Sequence, residues 1–344
     1  MDIIKAIASE LNVRNNQVEA AVKLIDEGCT IPFISRYRKE ATGALSDEQL
    51  RNLDERLKYL RNLEDKKAQV IASIAEQGLL TDELKNQIEK ADTMVAVEDL
   101  YRPYRPKRRT RATIAKEKGL EPLANVILLQ MTGEPVVKTA EEYVSEEKDV
   151  KTPEDAVAGA KDIIAESISD NADYRTRIRE LTFKEGVLTS AAKDAEAKTV
   201  YEMYYNFSEP AAKMAGHRIL AVNRGENEKI LTVKIEAPVD KILAYLEKQI
   251  IVRDNQYTTG IIKEAIEDSY ERLIAPSIER EIRNQLTETA EAGAIKVFGK
   301  NLEQLLLQPP ITGHVVLGWD PAFRTGCKLS LIHISEPTRH SLIS

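Results

Sequence analysis

The sequence predicts a mainly α-helical protein. Apolar residues recur at intervals of three and four along most of the chain, which is the spacing that places them on one face of a helix. Residues that cap helix ends stand at the boundaries of these segments. Charged residues make up 31% of the chain, which suits helices with wide polar faces. A length of 344 residues leaves room for about two or three domains, each with its own core.

Two short helices are predicted at the N-terminus. One apolar stripe runs from Ile3 to Leu11 and a second from Val18 to Ile25, both at helical spacing. The polar residues between them supply a turn, and Gly28 is placed to end the second helix. The pair could form a helix-turn-helix, but we favour a plain helical hairpin.

Further helix starts follow along the chain. Pro32 is expected in the first turn of a third helix. Ser46 and Gln49 form a capping box that opens a long, leucine-rich helix closed by Gly78. Thr152-Pro153 is typical of another N-terminus.

The pattern changes between about Val187 and Ile235. Segments 218–222 and 230–235 are rich in apolar and β-branched residues and flank a turn-forming sequence, so we expect a β-hairpin near residues 218–235. Helices resume up to Gln308, with Pro276 forcing a kink or a fresh start. Pro309-Pro310 is typical of a linker, and we expect a domain boundary there.

The composition narrows the class of protein. No apolar run approaches the roughly 18 residues that span a bilayer, and no leader is evident, so we expect no membrane association. The two cysteines lie far apart in the sequence and the histidines lack ligand spacing, which disfavours a disulfide and a zinc site and favours the reducing cytoplasm. No phosphate loop of the type G-x-x-x-x-G-K-S/T is present. No cofactor is expected. The two cysteines are Cys29 and Cys327, and the four histidines are His217, His314, His333 and His340.

Positive charge is concentrated in one segment. Residues 102–118 carry a formal charge of +7, whereas the rest of the chain carries -14. Such a separation attracts a polyanion to one place. Pro103 and Pro106 exclude a regular helix, which predicts an extended basic loop. The predicted nucleic-acid contacts are Arg102, Arg105, Lys107, Arg108, Arg109 and Arg111, with Tyr101 and Tyr104 available to stack on bases. The alternative is that these cations pair with the protein's own acids.

Three smaller features leave alternatives open. Arg36, Arg38 and Lys39 could extend the basic surface or form a solvated helix face. The alternating arginines 175, 177 and 179 are expected to be ordinary helix-surface charges. His217 is expected before a strand, in a structural role.

Four long blocks carry a family resemblance. They are TIPFISRYRKEATGAL (30–45), EDLYRPYRPKRRTRATIAKEKGLEPLA (98–124), HRILAVNRGE (217–226) and PPITGHVVLGWDPAFRTGCK (309–328). In order and over residues 1–328, the chain resembles the bacterial Tex family of transcription accessory proteins. The resemblance implies an elongated helical N-terminal region with a helix-turn-helix-like start, followed by a YqgF-type RNase H-like domain. Helix-hairpin-helix repeats and an OB-fold RNA-binding domain would follow.

The last segment bears on catalysis. Gly318, Asp320, Arg324 and Gly326 are similar to the first-strand motif of YqgF-type domains, on a strand expected to be buried. Two-metal phosphoryl cleavage requires several converging carboxylates, so Asp320 is expected to be an orphaned position and not a metal site. Residues 329–339, LSLIHISEPTR, resemble a translated sequencing adapter. We therefore expect a truncated chain, in which the last strand finds no sheet to join.

These patterns together predict a non-enzymatic scaffold. Expected regions are an N-terminal helical part (1–100), the basic loop (101–119), a helical scaffold (120–308), the start of a YqgF-type domain (309–328) and a non-native tail (329–344). The expected partner is RNA or single-stranded DNA, bound through its phosphates without reading sequence. The alternatives are a module that docks on RNA polymerase or the ribosome, and an RNase H-fold nuclease.

Overall fold

Helices dominate the computed structural model, as the sequence predicts. The structure describes residues 2–309, 313–321, 326, 328–332 and 341–342. It divides into two units, residues 1–286 and 287–344. Arg324, Cys327, His333 and His340, all named in the sequence analysis, lie outside the described residues. No helix among the described residues is both long and apolar enough to cross a membrane.

Fifteen α-helices are assigned in the described chain. In order they are α1 Ile3–Leu11, α2 Asn15–Asp26, α3 Ile31–Tyr37, α4 Asp47–Glu76, α5 Asp82–Lys90, α6 Met94–Tyr101, α7 Arg111–Glu117, α8 Glu121–Leu129, α9 Val136–Ala140, α10 Pro153–Asp170, α11 Ala172–Glu185, α12 Gly216–Asn227, α13 Val239–Ile250, α14 Thr259–Asp268 and α15 Ala275–Leu306. A π-helical turn, Ser269–Ile274, separates α14 from α15. Pro276 lies just after this π-helical turn, and the helix continues through it without a break, so the predicted fresh start at Pro276 is wrong.

The long helix α4 organises the first core. Its leucines from Leu50 to Leu63 are buried at helical spacing against α1, α2, α3 and α6. Each fully buried leucine contributes roughly 1.5–3 kcal/mol relative to an exposed one. The predicted capping box is confirmed, because the Ser46 Oγ accepts from the Gln49 amide at 3.1 Å and the Gln49 Oε1 accepts from the Ser46 amide at 2.9 Å. The predicted helix pair at the N-terminus is also present, as α1 and α2.

The β-structure of the first unit is a three-stranded antiparallel sheet. Strands β1 Val187–Ala192, β2 Asn206–Pro210 and β3 Leu231–Glu236 pair in the order β2-β1-β3. Register is set by the pairs Ser190 with Phe207 and Ser190 with Val233.

The predicted hairpin at residues 218–235 is therefore wrong in its first arm. Residues 218–222 lie within α12, where Ile219 and Val222 are three residues apart and both buried. A short apolar run cannot be assigned to strand or helix from periodicity alone. Gly225 lies against Leu231, whose Cδ1 would be 2.6 Å from an added Cβ, so α12 packs closely on the start of β3. His217 is accordingly an exposed helix residue and does not precede a strand.

A buried ion cluster joins three helices. Arg175 of α11 is fully buried and donates to Asp99 of α6 at 2.7 Å and to Glu281 of α15 at 2.8 Å. Arg179, one turn further on, donates to the same two carboxylates at 2.6 and 2.8 Å. The prediction that these arginines are ordinary surface charges is wrong for Arg175 and Arg179. It is correct for Arg177, which is exposed and bonds Glu180.

The two arginines of the cluster favour the charged form of Glu281. Burial alone would raise the pKa of Glu281, but the hydrogen bond from Arg179 and the charges of Arg179 and Arg175 outweigh it, so the pKa lies below its usual value. We call Asp99, Arg175, Arg179 and Glu281 the ion cluster below.

A second ion pair fastens the sheet to α15. The Arg283 guanidinium bonds both carboxylate oxygens of Glu226 on α12, and its Nη2 lies 3.1 Å from the Asn223 Oδ1. The hydrogen bond from Arg283 lowers the pKa of Glu226 below the ordinary value of a glutamate.

In the second unit, β4 Val316–Asp320 pairs antiparallel with β5 Lys328–Ile332, which pairs in turn with β6 Ser341–Leu342. The expectation that β4 is buried is wrong, because Leu317 and Trp319 are 62% and 66% exposed. The expectation that β4 finds no sheet is also wrong, since β4 pairs along one edge with the adapter-like segment.

Replacing Arg175 by methionine is expected to lower the free energy of unfolding by about 3 kcal/mol, because it leaves two carboxylates buried with one arginine. Urea unfolding followed by circular dichroism measures the effect. Arg177→Met, on the same helix, is the matched control and should change stability by less than about 0.5 kcal/mol. Equal effects of the two substitutions would contradict a special role for the ion cluster.

Acidification is expected to remove the contribution of the Glu226–Arg283 pair. Because the folded-state pKa of Glu226 is depressed, its stabilisation is fully present above the pKa of an unfolded glutamate and is lost as pH falls through the folded-state pKa. Urea midpoints between pH 7 and pH 3 should fall less steeply for Glu226→Gln than for the unmodified chain. Glu196→Gln, at an exposed carboxylate that forms no ion pair with a described residue, should leave the slope unchanged.

Candidate nucleic-acid interface

The basic segment has more regular structure than the sequence predicts. Helix α6 ends at Tyr101, a 3-10 turn covers Arg102–Tyr104, and residues 105–110 are irregular. Helix α7 then begins at Arg111, with the Thr110 Oγ1 accepting from the Thr113 amide at 3.1 Å. The expected extended loop over 101–119 is therefore confined to 105–110, because Pro103 and Pro106 interrupt helix only up to the Thr110 cap.

The two tyrosines of the segment support the N-terminal core. Both are partly buried and pack against the core of α4. The Tyr101 hydroxyl hydrogen-bonds Ser73 at 3.0 Å, and the Tyr104 carbonyl accepts from Gln77 at 2.9 Å. These contacts fix the start of the loop, and the stacking role of the tyrosines stays a prediction.

Two of the predicted contact residues turn inward. The Lys107 ammonium bonds Asp170 and lies 3.4 Å from Glu166, both on α10. Burial raises the pKa of Asp170, and the hydrogen bond from Lys107 opposes that rise. Arg102 is half-buried, and its Nε has no hydrogen-bond partner among the described residues. Burial, followed by the charge of Arg175, lowers the pKa of Arg102. The alternative interpretation, in which the cations pair with the protein's own acids, is therefore correct for Lys107.

Four arginines of the segment are exposed. Arg105 and Arg108 make no ion pair with any residue that the structure describes. The Arg109 Nη2 is 3.7 Å from Glu117 with both groups largely in solvent, and such a pair contributes little. Arg111 forms no ion pair with a described residue, and its positive charge acts from a distance to favour lower pKa values for Asp162 and Asp268. We call Arg105, Arg108, Arg109 and Arg111 the loop arginines.

A cleft of about 520 Å³ lies beside the loop arginines. Its lining combines Arg105 and Arg108 with the inward-turned Arg102 and Lys107. Three carboxylates, those of Glu98, Glu166 and Asp170, line it as well. The carboxylates of the cleft hold the loop through Lys107, whereas Arg105 and Arg108 remain exposed to solvent.

A second group of cations lies at the end of α3. Arg36, Arg38 and Lys39 are exposed, and none is ion-paired to a residue that the structure describes. Beside them are two exposed aromatic side chains, Phe33 and Tyr37, which our sequence reasoning missed. The available signal was the alternation of aromatic and basic residues in PFISRYRK.

Asp320 stands at the end of β4, an exposed strand. Within the ranges that the structure covers, no group of three or more histidine, cysteine, aspartate or glutamate side chains is arranged to hold a metal ion. Cys29 is a free, partly buried thiol.

Comparison with known proteins identifies two family models. The model described as Tex-like protein N-terminal domain matches residues 1–75, and the one described as Tex central region-like matches residues 132–298. An uncharacterized protein of Bacillus subtilis is 53% identical over 328 residues, which is 94% of this chain and 46% of that protein. The transcriptional accessory protein Tex of Neisseria gonorrhoeae is 40% identical over 342 residues, 96% of this chain and 44% of that protein.

A human protein extends the comparison beyond bacteria. The S1 RNA-binding domain-containing protein 1 is 31% identical over 356 residues, covering 99% of this chain and 35% of that protein. The chain thus spans less than half the length of each of these three relatives.

Lys107 is expected to matter for stability. Lys107→Met leaves Asp170 buried without its hydrogen bond, and the free energy of unfolding at pH 7 should fall by about 1–3 kcal/mol. Because burial raises the folded-state pKa of Asp170, this loss should shrink as pH falls through that raised pKa and Asp170 becomes neutral. Arg108→Met, at an exposed neighbour, should stay within about 0.5 kcal/mol in the same urea titrations. A pH-independent loss for Lys107→Met would contradict this account.

Proposed function

The chain belongs to the Tex family of transcription accessory proteins, and we propose that it forms a helical scaffold that binds nucleic acid through the loop arginines. Binding is directed to phosphates and involves no chemical step and no cofactor. The protein works in the reducing cytoplasm, with which the free thiol of Cys29 is compatible.

The exposed charge of the loop arginines is the observation that carries this proposal. A chain of net charge -7 repels a polyanion over most of its surface, so four exposed guanidinium groups in one short segment form a local attractive site. The segment is held by the pairing of Lys107 with α10 and by the packing of Tyr101 and Tyr104 on α4. Cations on an ordered backbone lose less freedom on binding than cations on a mobile tail.

The chemistry of these groups favours the backbone of nucleic acid over its bases. Guanidinium groups bind phosphate oxygens in a bidentate manner, and such contacts fix position without reading sequence. RNA is supported as a ligand by the human relative, whose name records an S1 RNA-binding domain.

A protein-docking role is the second candidate. The segment between β1 and β2 exposes Val200 and Met203, which are 86% and 73% accessible. Exposed apolar side chains of this kind suit a contact with RNA polymerase or the ribosome. This role is compatible with nucleic-acid binding, because it uses a different surface.

A nuclease role is not part of the proposal. Two-metal cleavage requires several converging carboxylates, and Asp320 is the one that the sequence motif supplies. Asp320→Asn should therefore leave oligonucleotides as intact as the unmodified chain does.

Removing the loop arginines is expected to weaken nucleic-acid binding in a salt-dependent way. Arg105, Arg108 and Arg109 are each changed to Gln, and affinity for a fluorescein-labelled single strand is measured by anisotropy across a salt series. Loss of three phosphate contacts should reduce the log-log salt slope by about 2.

The matched control removes the same charge elsewhere. Lys198, Lys213 and Arg253 are also exposed and form no ion pair with a described residue, and their change to Gln gives an equal net charge. That control should retain most of the slope. Equal slopes for the two triple variants would overturn the assignment to the loop arginines.

A further inference from the structure

The surface of α3 combines aromatic rings with unpaired cations. We call Phe33, Arg36, Tyr37, Arg38 and Lys39 the α3 surface. Tyr37 is 67% exposed and Phe33 is 37% exposed, although Ile34 between them is fully buried. The buried isoleucine anchors the helix on α4, which leaves the aromatic pair facing solvent.

The rings and one guanidinium group are in contact. The ring centroids of Phe33 and Tyr37 are 5.4 Å apart at an interplanar angle of 44°. The Arg38 Cζ lies 5.3 Å from the Phe33 ring centroid, within the range of a cation–π interaction. Phe33 therefore has two supporting neighbours, and Tyr37 is the ring that is available to a ligand.

The turn that follows α3 is fixed by hydrogen bonds. The carbonyl of Arg38 accepts from the Thr42 amide at 3.1 Å, and that of Lys39 accepts from the Ala44 amide at 2.7 Å. Gln17 of α2 donates to the Gly43 carbonyl at 2.8 Å, and Gly43 has a φ of +60°. The positive φ of Gly43 favours glycine, and the missing Cβ leaves room for the end of the Gln17 side chain. The backbone that carries the α3 cations is thus ordered before any ligand binds.

The charge of the surface is not neutralised locally. Arg36, Arg38 and Lys39 form no ion pair with a described residue, and Glu40 is the one acid directly beside them in sequence. The Asp47 carboxylate accepts a hydrogen bond from the Ser35 hydroxyl of α3 at 3.3 Å. Its charge is already paired with Arg51 at 2.6 Å. A ligand of the α3 surface is therefore expected to bring negative charge and a flat apolar face.

We propose that the α3 surface binds single-stranded nucleic acid by stacking an unpaired base on Tyr37 while Arg36 and Lys39 contact the flanking phosphates. Exposed aromatic rings beside cations meet both requirements of a single strand, whose bases are accessible. A duplex hides the faces of its bases and offers phosphates alone. The inference rests on the proposed nucleic-acid role of the chain, but it does not depend on the loop arginines.

Substitution of Tyr37 tests the stacking contact. Tyr37→Leu should weaken binding of a labelled 12-nucleotide single strand by about 10-fold, since one stacked base contributes roughly 1–3 kcal/mol. Tyr37→Trp preserves a ring and should restore binding to within about 3-fold of the unmodified chain. Phe298→Leu, at a residue that is 67% exposed on α15, is the matched control and should have no effect. Circular dichroism and urea unfolding check that each variant of the full chain is folded.

Two further ligands separate stacking from charge. An abasic oligomer of the same length and charge should bind equally to the unmodified chain and to Tyr37→Leu, and so should a duplex. Changing Arg36 and Lys39 to Gln should lower the log-log salt slope for the single strand by about 1.4.

The results distinguish this inference from the proposed function. If the triple loop variant loses affinity and Tyr37→Leu does not, the inference fails and the loop site stands. If Tyr37→Leu loses affinity and the loop variant does not, the loop site fails and the α3 site stands. An equal loss for the abasic oligomer overturns stacking, and an unmodified chain that binds no oligonucleotide overturns both and assigns the α3 surface to a protein partner.

Discussion

The buried ion cluster is the interaction on which the arrangement of the first unit depends. Its two arginines lie on α11, and its two carboxylates are brought by α6 and α15. Charges removed from water are destabilising unless they are paired and hydrogen-bonded, so these three helices are restricted to positions that keep all four groups together. Apolar packing alone would tolerate small slides of one helix along another. The cluster does not.

The cluster also determines where the candidate interface lies. Asp99 precedes the end of α6 by less than one turn, and the basic segment follows directly. The direction in which the chain leaves α6 is therefore set by a contact buried in the interior. Lys107 adds a second attachment, to Asp170 on α10. The loop arginines remain in solvent, where the one ion pair among the described residues is the long, exposed contact of Arg109 with Glu117. The same cationic segment is in this way divided between holding the fold and facing solvent.

Sequence reasoning located the helices better than the contacts between them. The capping box at Ser46 and the leucine stripe of α4 are local patterns, and local patterns determine helix boundaries. Arg175 and Arg177 are only two residues apart in sequence, yet one is buried and the other exposed. The difference comes from Asp99 and Glu281, each more than 70 residues away, and such pairing leaves no local signal. The α12 error has a similar origin, because its strand-like composition is overridden by packing on β3. The exposed cations were recognisable from charge alone, whereas the inward turn of Lys107 depended on α10.

The central position of β1 in its sheet has a consequence for how the protein folds. β1 pairs with β3 across an intervening strand and helix, so the pairing closes a loop of about 40 residues before any of its hydrogen bonds can form. The ion cluster closes a longer loop still, since the pairing partner of Arg175, Glu281, lies 106 residues further along the chain. Non-local contacts of this kind slow folding relative to a bundle of adjacent helices. During synthesis the N-terminal helices can therefore form their own core early, but the ion cluster that holds α6 is complete only once Glu281 of α15 has been made.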